Sequence, residues 1–292
     1  ANPSLGITIQ PDYLEEQVTM ARNMPSKANL VKRLNFSMWT DATDAWISRE
    51  AWVGCEVEDL VIEPGQECYS ALDLSGKRDL TSRADVFPRL VDGQIYFDAV
   101  VHFWSPGDTL KERSETDNVP YVEWRDAGFL EAPPGNTIDY GHVAKSIGEL
   151  DAMHNIASLA FDRWRIDDLL EKFDEFGIDA FITNEDEKKD MLESGFRMVP
   201  FGQGFKDMGP AVEDIEEIIL NNRLRVRLNP VLRWNVASAV TDEDAAGSRK
   251  FTKRKATGRI DGLVALCMAL RMAMMAGGLP GPSVYEADEF FM

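Results

Sequence analysis

Cysteine and histidine are scarce in this chain. Cys55, Cys68 and Cys267 are the three thiols among 292 residues. None has C-x-x-C spacing, which argues against a disulfide framework or a thiolate zinc site and fits a reducing compartment. His102, His142 and His154 are scattered without ligand spacing, so they are expected as ordinary core or surface residues, and no nucleophilic triad is assigned. The N-terminal stretch ANPSLGITIQPDYLEEQ lacks a basic region followed by an apolar one, so no signal peptide is evident and secretion is not expected. The sequon Asn35-Phe36-Ser37 then has no secretory route to give it meaning. Long hydrophobic runs are missing too. The most apolar segment, IDGLVALCMALRMAMMAGGL, is interrupted by Asp261 and Arg271 and is short for a bilayer span. It is expected as a buried helix whose methionines fill core gaps, and no membrane partner is expected. A phosphate loop ending in Gly-Lys-Ser or Gly-Lys-Thr is also absent. Gly76-Lys77 is followed by Arg78, with Ala71 where the first glycine would stand, so ATP hydrolysis is not expected of this chain.

What is present is enough apolar material, 44% of residues, for one large core or two modest ones. The net charge of −19 argues against a protein that grips nucleic acid over its whole surface. The distribution is uneven, however: between Arg223 and Arg259 ten Lys or Arg residues face only Asp242, Glu243 and Asp244. That patch is either a nucleic-acid contact or a solvated charged hairpin.

Residues 1 to 54 read as helical, with DYLEEQVTMARNM amphipathic. After the Pro64-Gly65 turn, ECYSALDL reads as a strand, TSRADVFPRL as a poorer one demoted by Pro88, and GQIYFDAVVHFW as a third following the Asp92-Gly93 turn, together a β-meander. KSIGELDAMHN reads as a helix, IASLAFDRW as a fourth strand and RIDDLLEKFDEFGI as a helix. FRMVPFGQGF reads as a short strand into a Gly-rich loop, PAVEDIEEIILNN as a helix, RLRVRLNP as a short strand and TGRIDGLVALCMALRMAM as a long helix.

Three acids sit at the ends of these elements. Asp73 closes an apolar strand, where an unpaired carboxylate is costly or protonates, so it either caps the turn into SGKRD or meets a compensating cation. Asp162 closes the fourth strand. Asp261 shares a helix face with Ala265 and Met268, residues that should pack on the sheet. Hard divalent cations such as Mg²⁺ or Mn²⁺ take oxygen ligands, and two of them roughly 3.5 to 4 Å apart activate a water and stabilise a leaving phosphate oxygen. On that reading Asp73 is shared by two ions, Asp162 holds one and Asp261 the other, with the helix N-terminus favouring the Asp261 charge. The chemistry is phosphodiester hydrolysis. If RLRVRLNPVLRW and SRKFTKRKATGRI form adjacent strands leading into the Asp261 helix, Lys253, Arg254 and Lys255 lie at the mouth of the site and meet incoming DNA. Arg223, Arg225 and Arg227 are the other candidate channel.

In order along the chain, ALDLSGKRDLTS, HFWSPGDTLKERSETDNVPYVEWRDAGFLEAPPGNTIDY, AFDRW, MVPFGQGFKDMGPAVEDIEEIILNNRL, NPVLRW and RIDGLVALCMAL resemble the C-terminal half of the large terminase subunit of tailed bacteriophages, especially the HK97-like group. The resemblance covers nearly all of residues 55 to 277. It implies an α/β fold, an RNase H-like mixed β-sheet flanked by helices with a short helical N-terminal extension. Residues 1–54 would be the tail of the packaging ATPase domain and linker, 55–277 the nuclease domain and 278–292 a flexible C-terminal tail that docks a partner or stays disordered. The implied activity is an endonuclease that cuts concatemeric double-stranded viral DNA with two divalent cations, Mg²⁺ or Mn²⁺.

Its metal-binding aspartates match Asp73 in LDLS, Asp162 in FDRW and Asp261 in RIDG. Asp79 in RDLT matches a further acid near the site, or caps the loop after the first strand. The implied partners are DNA and, in the full packaging complex, the portal protein and the small terminase subunit. The isolated chain is expected to be monomeric, and the implied location is the host cytoplasm, at the viral procapsid. Two departures stand out: Arg83 and Asp85 occupy strand positions expected to be hydrophobic, and DAFITNEDEKKDMLESGF reads as a surface insertion. A non-catalytic DNA-gripping or portal-docking module, and a resolvase or ribonuclease H-type nuclease, are the competing readings. The converging acids argue against the first, because they would weaken DNA affinity.

Overall fold

The computed structural model describes residues 10–23, 31, 46–74, 80–162, 166–183, 194–253, 256 and 258–277. Its centre is a mixed sheet of eight strands: β1 (Glu56–Val57), β2 (Glu67–Asp73), β3 (Thr81–Val91), β4 (Gln94–Trp104), β5 (Asn155–Phe161), β6 (Ala180–Ile182), β7 (Phe196–Pro200) and β8 (Leu224–Arg227). The spatial order is β1-β8-β4-β3-β2-β5-β7-β6. β2, β3 and β4 pair antiparallel, the meander their sequence suggests, and every other pairing is parallel. The run β4-β3-β2-β5-β7, with only β3 antiparallel to its neighbours, is the RNase H-like arrangement. Asp92 and Gly93 join β3 to β4 with φ of 51° and 78°, the two-residue hairpin turn whose twist suits the flanking strands.

Pro88 does not demote its strand: β3 runs for 11 residues through the middle of the sheet. Pro88 lies opposite Phe97, whose N–H donates away from β3 to the Arg223 carbonyl at 2.8 Å. The 88–97 pair therefore exchanges no hydrogen bonds, and the proline nitrogen points toward the β2 side. Pairing with β2 ends at Tyr69 and Val86, so no ladder bond is lost there. Arg83 and Asp85 leave the strand intact because they compensate each other. Arg83 donates from Nε and Nη2 to Asp85 Oδ2 at 3.0 and 2.9 Å and from Nη1 to Ser146 Oγ at 3.0 Å. Ser70 Oγ donates to Asp85 Oδ1 at 2.8 Å. Within the segment DAFITNEDEKKDMLESGF, Ala180–Ile182 forms the edge strand β6, parallel to β7. Residues 184–193 lie outside the described residues.

The helices are α1 (Pro11–Asn23), α2 (Arg49–Val53), α3 (Leu110–Asp117), α4 (Tyr121–Asp126), α5 (Tyr140–Met153), α6 (Ile166–Phe176), α7 (Phe205–Leu220), α8 (Pro230–Ser238) and α9 (Asp261–Met275). On one face of the sheet Val143 and Ile147 of α5 and Leu169 and Phe173 of α6 pack with Leu72, Leu159 and Met198. On the other, Leu263, Leu266 and Leu270 of α9 and Ile215 of α7 pack with Ala71, Ala84 and Val199. α9 is apolar almost all round because it is enclosed by the sheet, α7 and α8. Among the described residues no helix is long and apolar enough to cross a membrane.

The basic segments do not form adjacent strands. Leu224 and Val226 are buried, which draws β8 into the large sheet between β1 and β4. Asn229 then caps α8, accepting from the Val231 N–H at 2.9 Å, with Pro230 at the first helical position. β9 (Thr241–Glu243) and β10 (Arg249–Phe251) make a separate antiparallel hairpin.

Candidate functional site

The topology sets two acids at one sheet end and a third beside it. Leu72 and Phe161 are register partners on the parallel strands β2 and β5, so Asp73 and Asp162 leave neighbouring strands at the same level. The loop after β7 leaves the same end, which is where an open parallel region leaves a crevice. α9 starts there with Asp261. Its close seating depends on Gly262, where a Cβ would meet Phe103 Cζ at 2.3 Å, and on the Gly262 N–H donating to Asn235 Oδ1 at 2.8 Å.

Asp73 is 2% and Asp261 3% exposed, and one side chain joins them. Lys253 Nζ donates to Asp73 Oδ2 at 2.9 Å and to Asp261 Oδ1 at 2.7 Å. Gln203, in the Gly-rich loop after β7, donates to Asp73 Oδ1 at 3.4 Å. Asp261 Oδ2 is buried and has no hydrogen-bond partner among the described residues. Burial, then the negative charge of Asp73, pushes the Asp261 carboxyl up to about 6, against the opposing pull of Lys253 and Arg259. Burial alone would lower the Lys253 ammonium, but Asp73 and Asp261 raise it by more.

Asp162 stands at the end of β5, partly exposed. Among the described residues no three His, Cys, Asp or Glu side chains are gathered as a ready-made metal cage. What is gathered is a pair of buried carboxylates sharing one ammonium. The donor set nevertheless suits a hard cation: the oxygens are carboxylate oxygens, one of them lacks a partner among the described residues, and a positive charge already occupies the space between them. Asp79, Arg254 and Lys255 lie outside the described residues.

Lys253 faces inward, onto the acids, where sequence reasoning placed it outward toward DNA. Its side chain stays half-exposed and lines a groove of about 360 Å³ with Tyr121, Trp234, Gly258 and Arg259. Arg223, Arg225 and Arg227 are not brought to the aspartates, since β4 and β3 separate β8 from β2. Arg223 pairs with Glu217 at 2.6 Å and Arg225 with the buried Asp98 at 2.5 Å, while Arg227 donates to the Leu60 carbonyl at 3.0 Å. Gln203 and the aromatic wall of the groove were missed in the sequence. The Gly-rich FGQG loop at the carboxyl end of a parallel strand was the signal for the first; nothing local marked Tyr121 and Trp234, which meet from separate helices at 5.9 Å between ring centroids. Burial and then Arg83 hold His102 down at about 4, and His154 packs edge-on against Phe87.

Comparison with known proteins points one way. The family described as terminase large subunit, endonuclease domain, matches residues 1–277. The terminase large subunit of Enterobacteria phage HK97 is 38% identical over 273 residues, covering 94% of this chain and 50% of that protein. The crystal structure of the HK97 large terminase matches with a TM-score of 0.67 over 94% of this chain and 53% of that one. Protein YmfN of Escherichia coli K12 is 26% identical over 287 residues, 94% of this chain and 58% of its own length. The chain thus spans about half the length of the curated relatives it matches.

Proposed function

The chain belongs to the terminase large-subunit endonuclease family, and from that premise we propose that it cuts double-stranded DNA by divalent-cation-assisted phosphodiester hydrolysis at Asp73, Asp162 and Asp261. The observation that carries this reading is the buried Asp73–Asp261 pair, which binds one cationic group and leaves Asp261 Oδ2 without a partner among the described residues. Two like charges buried side by side are costly and persist where a cation compensates them.

When bound, Mg²⁺ or Mn²⁺ supplies a Lewis acid at the phosphate and a water of lowered pKa. Asp73 and Asp261 would hold the cations, with Asp162 completing the set from the adjacent strand. Gln203 fixes the orientation of Asp73, and the N-terminus of α9 adds positive potential beside Asp261. The groove beside Lys253 would seat the DNA backbone, Lys253 and Arg259 meeting phosphates and Trp234, backed by the buried Tyr121, forming an aromatic wall. Asp79 would act as a further acid, and Arg254 and Lys255 would extend the DNA contact.

Within a packaging terminase, residues 1–54 would link to the ATPase part, 55–277 would cut concatemeric DNA, and 278–292 would dock a partner. The portal protein and small subunit are the partners this role requires, at the procapsid in the host cytoplasm, with the isolated chain monomeric and without ATPase activity. The test is plasmid nicking with Mg²⁺, Mn²⁺ or EDTA, using Asp73→Asn, Asp162→Asn and Asp261→Asn. Each substitution should reduce cutting at least about 100-fold, the scale of losing a charge-stabilising group, with an unchanged circular dichroism spectrum. Wild-type cutting by Asp73→Asn, or cutting in EDTA, overturns the reading.

A further inference from the structure

We propose that Lys253 is the resident counter-ion of the Asp73–Asp261 pair and exchanges roles when a divalent cation arrives, leaving the carboxylates for a DNA phosphate in the adjoining groove; this rests on the metal reading above.

Three observations lead here. The ammonium lies within hydrogen-bond distance of both carboxylates, 2.9 Å from Asp73 Oδ2 and 2.7 Å from Asp261 Oδ1, so it fills the position between them that a cation would take. A lysine and a divalent cation cannot occupy that position together, because both are positive and both need the same oxygens. Secondly, the Lys253 side chain is half-exposed while its two partners are buried. Its four-carbon stem belongs to the turn after β10, so it swings outward without unpacking the core. Thirdly, the place it swings into is already shaped. The groove of about 360 Å³ that Lys253 lines also carries Arg259, Tyr121 and Trp234.

The exchange has two consequences. In the metal-free protein Lys253 neutralises two buried acids that would otherwise repel each other. On metal loading the displaced ammonium becomes one more phosphate contact, so cation binding and DNA binding reinforce each other. Cutting competence and substrate grip then arise together, and the metal-free chain holds DNA less tightly.

The experiment compares the wild-type chain with Lys253→Met, whose stem is similar but uncharged. Mn²⁺ is titrated calorimetrically at pH 8, above the raised range of Asp261. Lys253→Met should bind Mn²⁺ at least about tenfold more tightly, because two charge-assisted hydrogen bonds no longer have to be broken. Reductive methylation followed by mass spectrometry should show Lys253 reacting faster when Mg²⁺ is added. A short DNA duplex titrated at several salt concentrations in Ca²⁺ should give the wild type a log–log slope steeper than Lys253→Met by about 0.9, one phosphate contact. In EDTA the two slopes should coincide. If both proteins bind Mn²⁺ with equal affinity, or Lys253→Met binds more weakly, the exchange is refuted while the metal site stands. Equal slopes in Ca²⁺ refute the transfer to phosphate. If neither protein binds Mn²⁺, the metal reading fails and the exchange fails with it.

Discussion

Replacing Asp261 by Asn should stabilise the metal-free protein and lose that advantage when divalent cations are added. The carboxyl is 3% exposed and is raised from 3.8 to about 6 by burial and then by Asp73. A carboxyl raised in the folded state keeps a proton that the unfolded chain has already released. Between about pH 4 and about pH 6 the native protein therefore binds more protons than the unfolded one, and stability falls as pH rises. Below that window both states are protonated and nothing is lost; above it the full penalty remains. A shift of roughly two units corresponds to about 3 kcal/mol.

Asn resembles the neutral acid and can still accept from Lys253, so in EDTA at neutral pH Asp261→Asn should gain up to about 3 kcal/mol, roughly 5 to 10 °C in melting midpoint. Saturating cation removes most of that advantage, because the wild type gains about 2.7 kcal/mol at 100 times its dissociation constant and the variant loses a ligand. Thermal and urea melts from pH 4 to pH 8, in EDTA and in Mg²⁺, measure both effects. The reasoning is refuted if wild-type stability, relative to the variant, is flat or rises with pH across that window. It is equally refuted if Asp261→Asn melts below the wild type in EDTA.

Elsewhere, Asp85→Ala should cost about 3 to 5 kcal/mol in urea unfolding, because Arg83, 3% exposed, is left as an unpaired buried cation; a loss below about 1 kcal/mol would show that water reaches the guanidinium. Gly262→Ala should destabilise by about 1 to 3 kcal/mol and weaken Mn²⁺ binding, since its Cβ meets Phe103 at 2.3 Å and must shift the first turn of α9 away from Asp73. Unchanged metal affinity in that variant, measured by calorimetry, would separate the seating of α9 from the site. Cleavage by the isolated chain should be sequence-independent and fall steeply with salt, because phosphates rather than base edges guide the DNA. A reproducible single cut in a plasmid, mapped by primer extension, would contradict this.

Much of the sheet was legible because alternation and turn chemistry are local. The Asp92-Gly93 hairpin, the strand ending in Asp73, the strand ending before Asp162 and the apolar helix opening at Asp261 each carry their signal within a few residues. Pro88 was misread because its tolerance depends on where β2 stops pairing, which β3 itself does not record. Arg83 and Asp85 looked like a breach of the strand because their partners Ser70 and Ser146 lie on other elements.

By itself, then, the sequence determined the α/β class, the order of the elements and the family, and it placed three acids at the ends of elements that converge. Only the tertiary structure decided which charges meet. Lys253 and Arg225 belong to one basic stretch, yet one bridges Asp73 and Asp261 while the other is tied to Asp98, two strands away from β2. Backbone propensity acts over a few neighbouring residues, whereas the partner of a charge is set by what burial brings within about 3 Å of it from any part of the chain.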